Sequence, residues 1–554
     1  MKLVFGKKWS SWTRLACLVV TVVLLFSVFR RIDRQAFLAS LGRTSVSWFA
    51  LAFLAYGLAL WLVSLRWHLA LRLTARAVHI AASYRLLLVG HFFSSMLIGA
   101  AGGDLAKSAI YARWFRFPLP EVIAAAPLDR VLGLGGTVLL SCGLALVVAA
   151  NGSLGQLPSL HLPLPSLWLL GTLSLAGLAI IGIVSRRPLG ESSWARALRA
   201  FRSGGRRLLV SPEVAAPGLL FALGAQVALS SVLALNLRAV AHQPLPWAQM
   251  AWTFPAITLV SCLPFTFAGA GVREVAALTF LGTYGVPAGD CVAAALLTFV
   301  QKLAWALAGG GVLWQEENIH AKFKDRPLPR TLSIVIPALN EAATLPETIR
   351  RARANPEVRE IILVDGGSSD ATRAVAEALG CCVLAAPSGR GGQMRAGARQ
   401  TQGDVVLLLH ADTWLPPGAG RAVMNCLRDD TVVAGGFWKK FNDTPFLLLG
   451  SRWKCAVRMM IGRRIVGDQG MFIRSQVLQK VGGVPDLPLM EEFELCRRLR
   501  KEGRLALADA TVVTSARRFK KLGVIRTYLR MWWVTTLYRL GRPAHELRRI
   551  YEKE

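Results

Sequence analysis

Residues 361–370 read Ile361-Ile-Leu-Val-Asp365-Gly-Gly-Ser-Ser-Asp370. Four apolar residues followed by an acid and a glycine-rich turn describe a buried parallel strand whose carboxyl end opens into a ligand-binding loop. Related patterns stand on either side. Upstream, Leu332-Ser-Ile-Val-Ile-Pro-Ala-Leu339 is a near-continuous apolar run, with a helix expected from about Glu341 to Ala354. Downstream, Asp404-Val-Val-Leu-Leu-Leu409 ends in His410-Ala-Asp412. Ser369 or Asp370 suits the N-cap of the helix after the second strand. This alternation predicts an α/β domain with ligands at the carboxyl ends of its strands.

Each strand end carries a residue type that a nucleotide sugar needs. Asp365 can accept hydrogen bonds from a ribose or a base N–H. Asp412 can hold a divalent cation, Mg²⁺ or Mn²⁺, that bridges a diphosphate and neutralises the leaving group. Arg390, Gln393 and Arg395, in a glycine-rich segment, suit the phosphates. A lone aspartate at a strand end is often only a turn residue, but three ordered features speak against that. Further on, Leu489-Met-Glu491-Glu492-Phe-Glu494 places carboxylates at a helix start. One of them can deprotonate an acceptor hydroxyl; a solvated acidic face is the alternative.

The rest of the chain is of another kind. Over 554 residues, 53% are hydrophobic and 18% charged, with a mean hydropathy of +0.43. That is too apolar for a soluble two-domain enzyme and points to membrane spans. Spans of about 20 apolar residues fit residues 13–29, 46–65, 131–150, 166–184, 217–240 and 288–314. The net charge of +32 falls in loops between apolar runs, as expected for cytoplasmic loops beside anionic lipid. No nucleic-acid-binding signature accompanies it, so no nucleic-acid partner is expected. Nine scattered cysteines form no Cys-x-x-Cys pair, which excludes a zinc framework or a disulfide scaffold. Lys7, Lys8 and Arg14 precede the first apolar run without a small-residue cleavage site, which reads as an uncleaved first span.

Two apolar stretches, 86–103 and 251–286, are broken by Gly99-Ala-Ala-Gly-Gly-Asp104 and by Pro264-Phe-Thr-Phe-Ala-Gly-Ala-Gly-Val-Arg273-Glu274. Charge beside glycine at membrane depth marks either a substrate path or an ordinary helix end. The 151–165 loop has no Lys or Arg and is expected outside; the Arg-rich 185–207 loop is expected inside. With both broken stretches re-entrant, the two chain ends fall in the cytoplasm. Residues 316–330 are polar and carry proline, as a linker does.

The segments Ile336-Pro337-Ala-Leu-Asn340-Glu341, Val364-Asp365-Gly-Gly-Ser-Ser-Asp370 and Leu409-His-Ala-Asp412-Thr413 resemble glycosyltransferase family 2, of the GT-A fold, over about 331–515. The resemblance implies that Pro337, Asn340 and Glu341 border the nucleotide pocket. Asp365 would meet the uracil or ribose, and Asp412 would be the last acid of the Asp-x-Asp metal motif. Glu492 would stand at the Asp position of the family's Glu-Asp motif, as catalytic base, with Glu491 as fallback. The sequence departs from the family at both places, with His410 for the first acid and Glu492 for the aspartate. Gly467-Asp468-Gln469-Gly470, the Leu-Met-Glu-Glu segment and Thr514-Ser-Ala-Arg-Arg-Phe519 resemble a narrower bacterial subfamily described as arsenosugar-biosynthesis-type; Asp468 and Gln469 would shape the acceptor side. No Gln-x-x-Arg-Trp signature stands intact, so transfer of single sugars is expected.

Gly90-His-Phe-Phe to Gly102-Gly-Asp104, Asp129-Arg130 and Gly269-Ala-Gly-Val-Arg273-Glu274 resemble the lysylphosphatidylglycerol synthase-type, or flippase-like, membrane domain over residues 10–316. The aminoacyl-transferring part of that synthase has no counterpart here. The resemblance makes Asp104, Asp129, Arg130, Arg273 and Glu274 the membrane-domain candidates.

The tail from Leu522 to Tyr538 spaces Val524, Ile525, Tyr528, Leu529, Trp532 and Trp533 as an amphipathic helix, for the membrane interface or for packing on the enzyme's own core. The expected order is thus a multi-span α-helical membrane domain (1–316), a linker (317–330), a GT-A domain (331–515) and an amphipathic tail (516–554). The expected activity is that of a hexosyltransferase-like, inverting enzyme of the bacterial cell (inner) membrane. It would face the cytoplasm and move sugar from a nucleotide donor to a lipid or membrane-proximal acceptor among membrane lipids. The alternatives are a lipid flippase with a regulatory or degenerate transferase domain, and transfer to a small soluble acceptor.

Overall fold

The computed structural model of the protein describes residues 9–30, 32–74, 76–150, 192–241, 245, 253–257, 270–443 and 450–552. The chain divides into two compact units, Met1–Ala77 with Ala82–Asn318, and Val78–Ala81 with Ile319–Glu554.

The first unit is helical: α1 (Trp9–Arg30), α2 (Arg34–Gly42), α3 (Val46–Leu73), α4 (Ile80–Phe93), α5 (Gly99–Trp114), α6 (Leu119–Ile123), α7 (Ala125–Ala150), α8 (Ser193–Val210), α9 (Pro212–Val240), α10 (Val272–Gly282) and α11 (Ala288–Phe323). By length and composition α3, α9 and α11 can cross a membrane; they contain the predicted spans 46–65, 217–240 and 288–314. The predicted spans 13–29 and 131–150 lie in α1 and α7. The predicted span 166–184 and the loop 151–165 lie outside the described residues. Two expectations need correction. The Arg-rich stretch expected as a loop is helical from Ser193, because Arg196, Arg199, Arg202 and Arg206 recur at helical spacing. The expected linker is helical as far as Phe323.

The break near Gly99 also differs in kind from the expected one. Gly99–Asp104 is helical, and the irregularity is a π-helical turn at Ser94–Ile98. The chain nevertheless reverses there. Thirteen residues of straight helix would separate Gly90 from Gly103 by about 20 Å. Instead, a β carbon on Gly103 would stand 2.5 Å from the Gly90 carbonyl oxygen. Only glycine permits that approach, so α4 and α5 form a tight helical hairpin. In the second broken stretch, residues 258–269 lie outside the described residues. At its end Gly271 takes a positive φ of 87°, and its N–H donates to the Glu274 carboxylate at 2.5 Å.

The second unit is built on an eight-stranded sheet: β1 (Leu332–Ala338), β2 (Val358–Asp365), β3 (Cys382–Ala385), β4 (Val405–Leu408), β5 (Thr413–Trp414), β6 (Val432–Phe441), β7 (Met471–Arg474) and β8 (Arg504–Thr514), in the spatial order β3-β2-β1-β4-β7-β6-β8-β5. β3, β2, β1 and β4 run parallel. β7 is antiparallel to both β4 and β6. The apolar runs are continuous because both sheet faces are covered. Ile334 and Ile336 of β1 enter one core and Val335 the other.

Helices α12 (Leu345–Arg353), α13 (Thr372–Ala378), α14 (Arg390–Arg399), α15 (Ala419–Cys426), α16 (Ser451–Val457), α17 (Ser475–Lys480) and α18 (Glu491–Glu502) flank the sheet. The first begins at Leu345 rather than at Glu341. Pro346 favours a helix's first turn, and Glu341 accepts a hydrogen bond from Thr344 Oγ1 at 2.7 Å in the preceding turn. Three more helices follow, α19 (Arg517–Leu522), α20 (Val524–Arg539) and α21 (Ala544–Glu552). α20 packs on the domain with one face and leaves its other face exposed. Val524, Tyr528 and Met531 pack on Phe441, Ala516 and Phe519. On its other face Ile525, Leu529, Trp532 and Trp533 are 49–64% exposed.

Candidate active site

Parallel pairing sets Ala338 opposite Asp365, so the ends of β1 and β2 open together. The loops beyond them are knitted into one wall. The Asp365 carboxylate accepts from Ser368 Oγ at 2.5 Å and from the Ser368 N–H at 3.2 Å. The Asn340 N–H donates to Ser368 Oγ, and the Asn340 side-chain carbonyl accepts from the Ser369 N–H, both at 2.9 Å. Asn340 takes a φ of 55°, a conformation that asparagine tolerates better than most residues. Ser369 is therefore part of this wall and not a cap; Asp370 accepts from the Thr372 N–H at the start of α13. Pro337 lies within β1.

Gln393 takes a different place from the phosphate-binding one expected. Its amide donates to the Ala338 carbonyl at 3.0 Å and to the Val364 carbonyl at 2.8 Å. Both N–H groups are engaged, so it clamps the end of β1 to the end of β2. Arg390, at the head of α14, reaches the opposite wall, with Nη1 3.8 Å from Glu491 Oε1 and from Glu492 Oε1. Arg395 sits further along the same helix, half-buried.

Beyond β4, His410 Nε2 lies 3.7 Å from Glu492 Oε1. The two glutamates open α18, where the helix dipole favours negative charge. Met490 just before them takes a left-handed φ of 67°, a strain of about 1–2 kcal/mol for a non-glycine residue. Burial and the neighbouring Glu492 push the Glu491 carboxyl well above the usual carboxylate range. Burial opposes ionisation of Glu492 too, but His410 and Arg390 outweigh it and hold its pKa below the ordinary value. Opposite shifts on two adjacent carboxyls are the pattern that acid–base chemistry uses.

Asp412 is held above the usual carboxylate range, chiefly by burial, with Glu341 and Asp468 adding to it and His410 opposing. Glu341 pairs with Arg517 Nη2 at 2.6 Å, which ties the first residue of α19 to the loop after β1. Asp468 pairs with Lys439 Nζ at 2.5 Å. Burial works against its charge, but Lys439, Arg458 and His410 keep its pKa low. Gln469 departs from the expected acceptor-side role: it is 1% exposed, donates to the Phe437 carbonyl at 3.1 Å and accepts from Arg458 at 3.1 Å. It pins the loop that presents Asp468. Arg517 and Lys439, which pair with Glu341 and Asp468, were not among the candidates read from the sequence. A lysine inside the apolar run Val432–Phe441 was the available signal.

In the membrane unit the candidate residues divide. Arg130 pairs with Asp104 at 2.6 Å, Lys107 with Asp104 at 3.1 Å, and Asp129 with Arg66 at 2.7 Å. Asp104, Lys107 and Arg130 thus form one cluster, and Asp129 belongs to a separate pair. Arg273 and Glu274 are buried, and the Glu274 carboxylate caps its own helix, which accounts for it structurally.

The family model for the lysylphosphatidylglycerol synthase TM region matches residues 14–310, more than half of the chain. The chain belongs to that family. A second family model, glycosyl transferase family 2, matches residues 333–476, so this lysylphosphatidylglycerol synthase TM-region protein also carries a family 2 glycosyltransferase domain. An undecaprenyl-phosphate 4-deoxy-4-formamido-L-arabinose transferase of Sodalis glossinidius is 35% identical over 156 residues, which are 26% of this chain and 48% of that protein. The transferase of the same name from Pseudomonas paraeruginosa is 43% identical over 105 residues, 17% of this chain and 31% of that one. The chain thus spans about half or less of the length of these curated relatives. Among solved structures, a mannosyltransferase of Pyrobaculum calidifontis in complex with GDP-Man and Mn²⁺ is 16% identical over 43% of this chain and 75% of that one, with a TM-score of 0.31. A glucosyl-3-phosphoglycerate synthase of Mycobacterium tuberculosis, with Mn²⁺, UDP and glucosyl-3-phosphoglycerate, is 22% identical over 41% and 85%, with a TM-score of 0.30.

Proposed function

We propose that the chain is a membrane-bound inverting glycosyltransferase that moves a sugar from a nucleotide-sugar donor to a lipid or membrane-proximal acceptor. The observation that carries this reading is the convergence of Asp365, Asp412, Asp468 and the Glu491–Glu492 pair around the carboxyl ends of β1, β2 and β4. The undecaprenyl-phosphate transferases among its relatives support a lipid acceptor. So does the exposed face of α20, where Ile525, Leu529, Trp532 and Trp533 alternate with Arg526 and Arg530. The loop charges favour a cell-membrane protein whose transferase domain faces the cytoplasm, where nucleotide sugars are found.

The nucleotide lies against the Asp365–Ser368–Asn340 wall, with Pro337 and Glu341 at its border and Arg390 and Arg395 toward the phosphates. Glu492 accepts the proton of the acceptor oxygen as that oxygen attacks the anomeric carbon from the face opposite the diphosphate. The residues also suit a divalent cation. Asp412 is a carboxylate that burial disfavours as a bare anion, and Asp468 Oδ1 is buried without a hydrogen bond. Among the described residues no three His, Cys, Asp or Glu side chains form a ready cage, so the donor's phosphates would complete the ion's shell. Bound at Asp412, such an ion supplies charge neutralisation of the diphosphate. The membrane unit anchors the enzyme, and its Asp104–Lys107–Arg130 cluster suits a lipid headgroup in transit.

Replacing Asp412 by Asn or Glu492 by Gln should abolish transfer and leave membrane insertion intact. Turnover at the wild-type rate by both variants overturns the assignment.

A further inference from the structure

Relative to the family pattern this chain departs twice at the site, with histidine at 410 for the first acid and glutamate at 492 for the aspartate. The structure sets these two departures face to face, 3.7 Å apart. Both atoms, His410 Nε2 and Glu492 Oε1, are buried and have no hydrogen-bond partner among the described residues. A buried donor and acceptor each left unmade are unfavourable, and a modest closure satisfies both at once. Catalytic hydrogen bonds are commonly long in a ligand-free site and tighten around substrate. The fold also keeps a notch open for the pair. A β carbon on Gly467 would stand 1.9 Å from Glu492 Oε1 and 2.3 Å from His410 Nε2.

We propose that His410 is a positioning residue for the base: it donates a hydrogen bond from Nε2 to Glu492 Oε1 and does not replace the missing acid as a metal ligand. The longer glutamate and the longer donor are then one matched change, with the carboxylate carried further from its helix and met there by an N–H. This inference rests on the transferase reading. It makes a counterintuitive forecast: restoring the family's acid at 410 harms the enzyme, because an aspartate removes the donor and sets a like charge within about 4–6 Å of Glu492.

The test uses the full chain and compares His410→Ala, His410→Gln and His410→Asp at saturating Mn²⁺. Ala and Asp should lower kcat at least about tenfold and leave the donor KM within about twofold. Gln, which keeps an N–H at similar reach, should recover most of kcat. A kcat in His410→Asp equal to or above wild type overturns the proposal, as does a donor KM effect without a kcat effect, or a Gln variant as poor as Ala. A second readout does not depend on turnover. In a thermal-unfolding cycle of His410→Ala and Glu492→Ala, the two shifts in Tm should be non-additive. Additive shifts overturn the pairing even where no donor is turned over, and absence of wild-type turnover with non-additive shifts counts against the transferase reading alone.

Discussion

Gly467→Ala puts the site's geometry to a quantitative test. Its new β carbon would stand 1.9 Å from Glu492 Oε1 and 2.3 Å from His410 Nε2. A carbon and an oxygen settle at about 3.3 Å or more, so Glu492 has to retreat by about 1.4 Å. A misplacement of about 1 Å can lower a rate about 100-fold, and at least that loss is expected in kcat. The strain of overpacking should lower stability by about 1–3 kcal/mol. The control is Gly403→Ala, whose β carbon would stand 2.6 Å from Ser333 Oγ, away from His410 and Glu492. It should destabilise by a similar amount and leave kcat of the folded enzyme unaltered. Tm and transfer kcat are measured for both variants of the full chain. A folded Gly467→Ala enzyme whose kcat stays within about threefold of wild type, well short of the loss a 1 Å misplacement brings, would refute the reasoning.

Three further outcomes follow from individual side chains. Arg474 donates to the Val432 carbonyl at 2.9 Å, the Pro327 carbonyl at 3.1 Å and the Leu427 carbonyl; Arg474→Ala should cost about 3–5 kcal/mol in denaturant unfolding, with Lys recovering only part because one ammonium cannot reach all three. Glu491 has a folded pKa above its unfolded one, so its contribution to stability is present below the unfolded pKa and is lost as pH rises through the folded pKa; Glu491→Gln should flatten the decline of Tm across that window. Replacing Leu529 and Trp532 by Ser should raise the KM for a lipid acceptor about tenfold and leave the donor KM unaltered in steady-state kinetics, because the exposed face of α20 is the part expected to meet the membrane.

The strands of the transferase domain were legible because burial on both sheet faces writes itself as unbroken apolar runs. Leu332–Ala338 and Val405–Leu408 came out within a residue or two. The acids that follow the strands were legible too, since a carboxylate placed where an apolar run ends stands at the edge of a parallel sheet, where ligands bind. The partners of Gln393 and Gln469 were not legible, because an amide that meets a ligand and an amide that bonds to backbone carbonyls look alike in sequence. Arg517 reaches Glu341 across 176 positions of chain, a pairing that no local pattern carries. In the membrane unit the glycines at 90 and 103 were visible, but not that they pack together. Hydropathy marks the apolar part of a helix and leaves its partners open, which is also why Arg66 and Lys107 went unread as the mates of Asp129 and Asp104.

The most direct measurement gives the full chain radiolabelled UDP- and GDP-sugars with Mg²⁺ or Mn²⁺ and a membrane lipid extract, and follows the label into the organic phase. The account predicts organic-extractable label from at least one donor, lost in Asp412→Asn and in Glu492→Gln. Label that stays in the aqueous phase with every donor, or that reaches the lipid equally well with both variants, would contradict it.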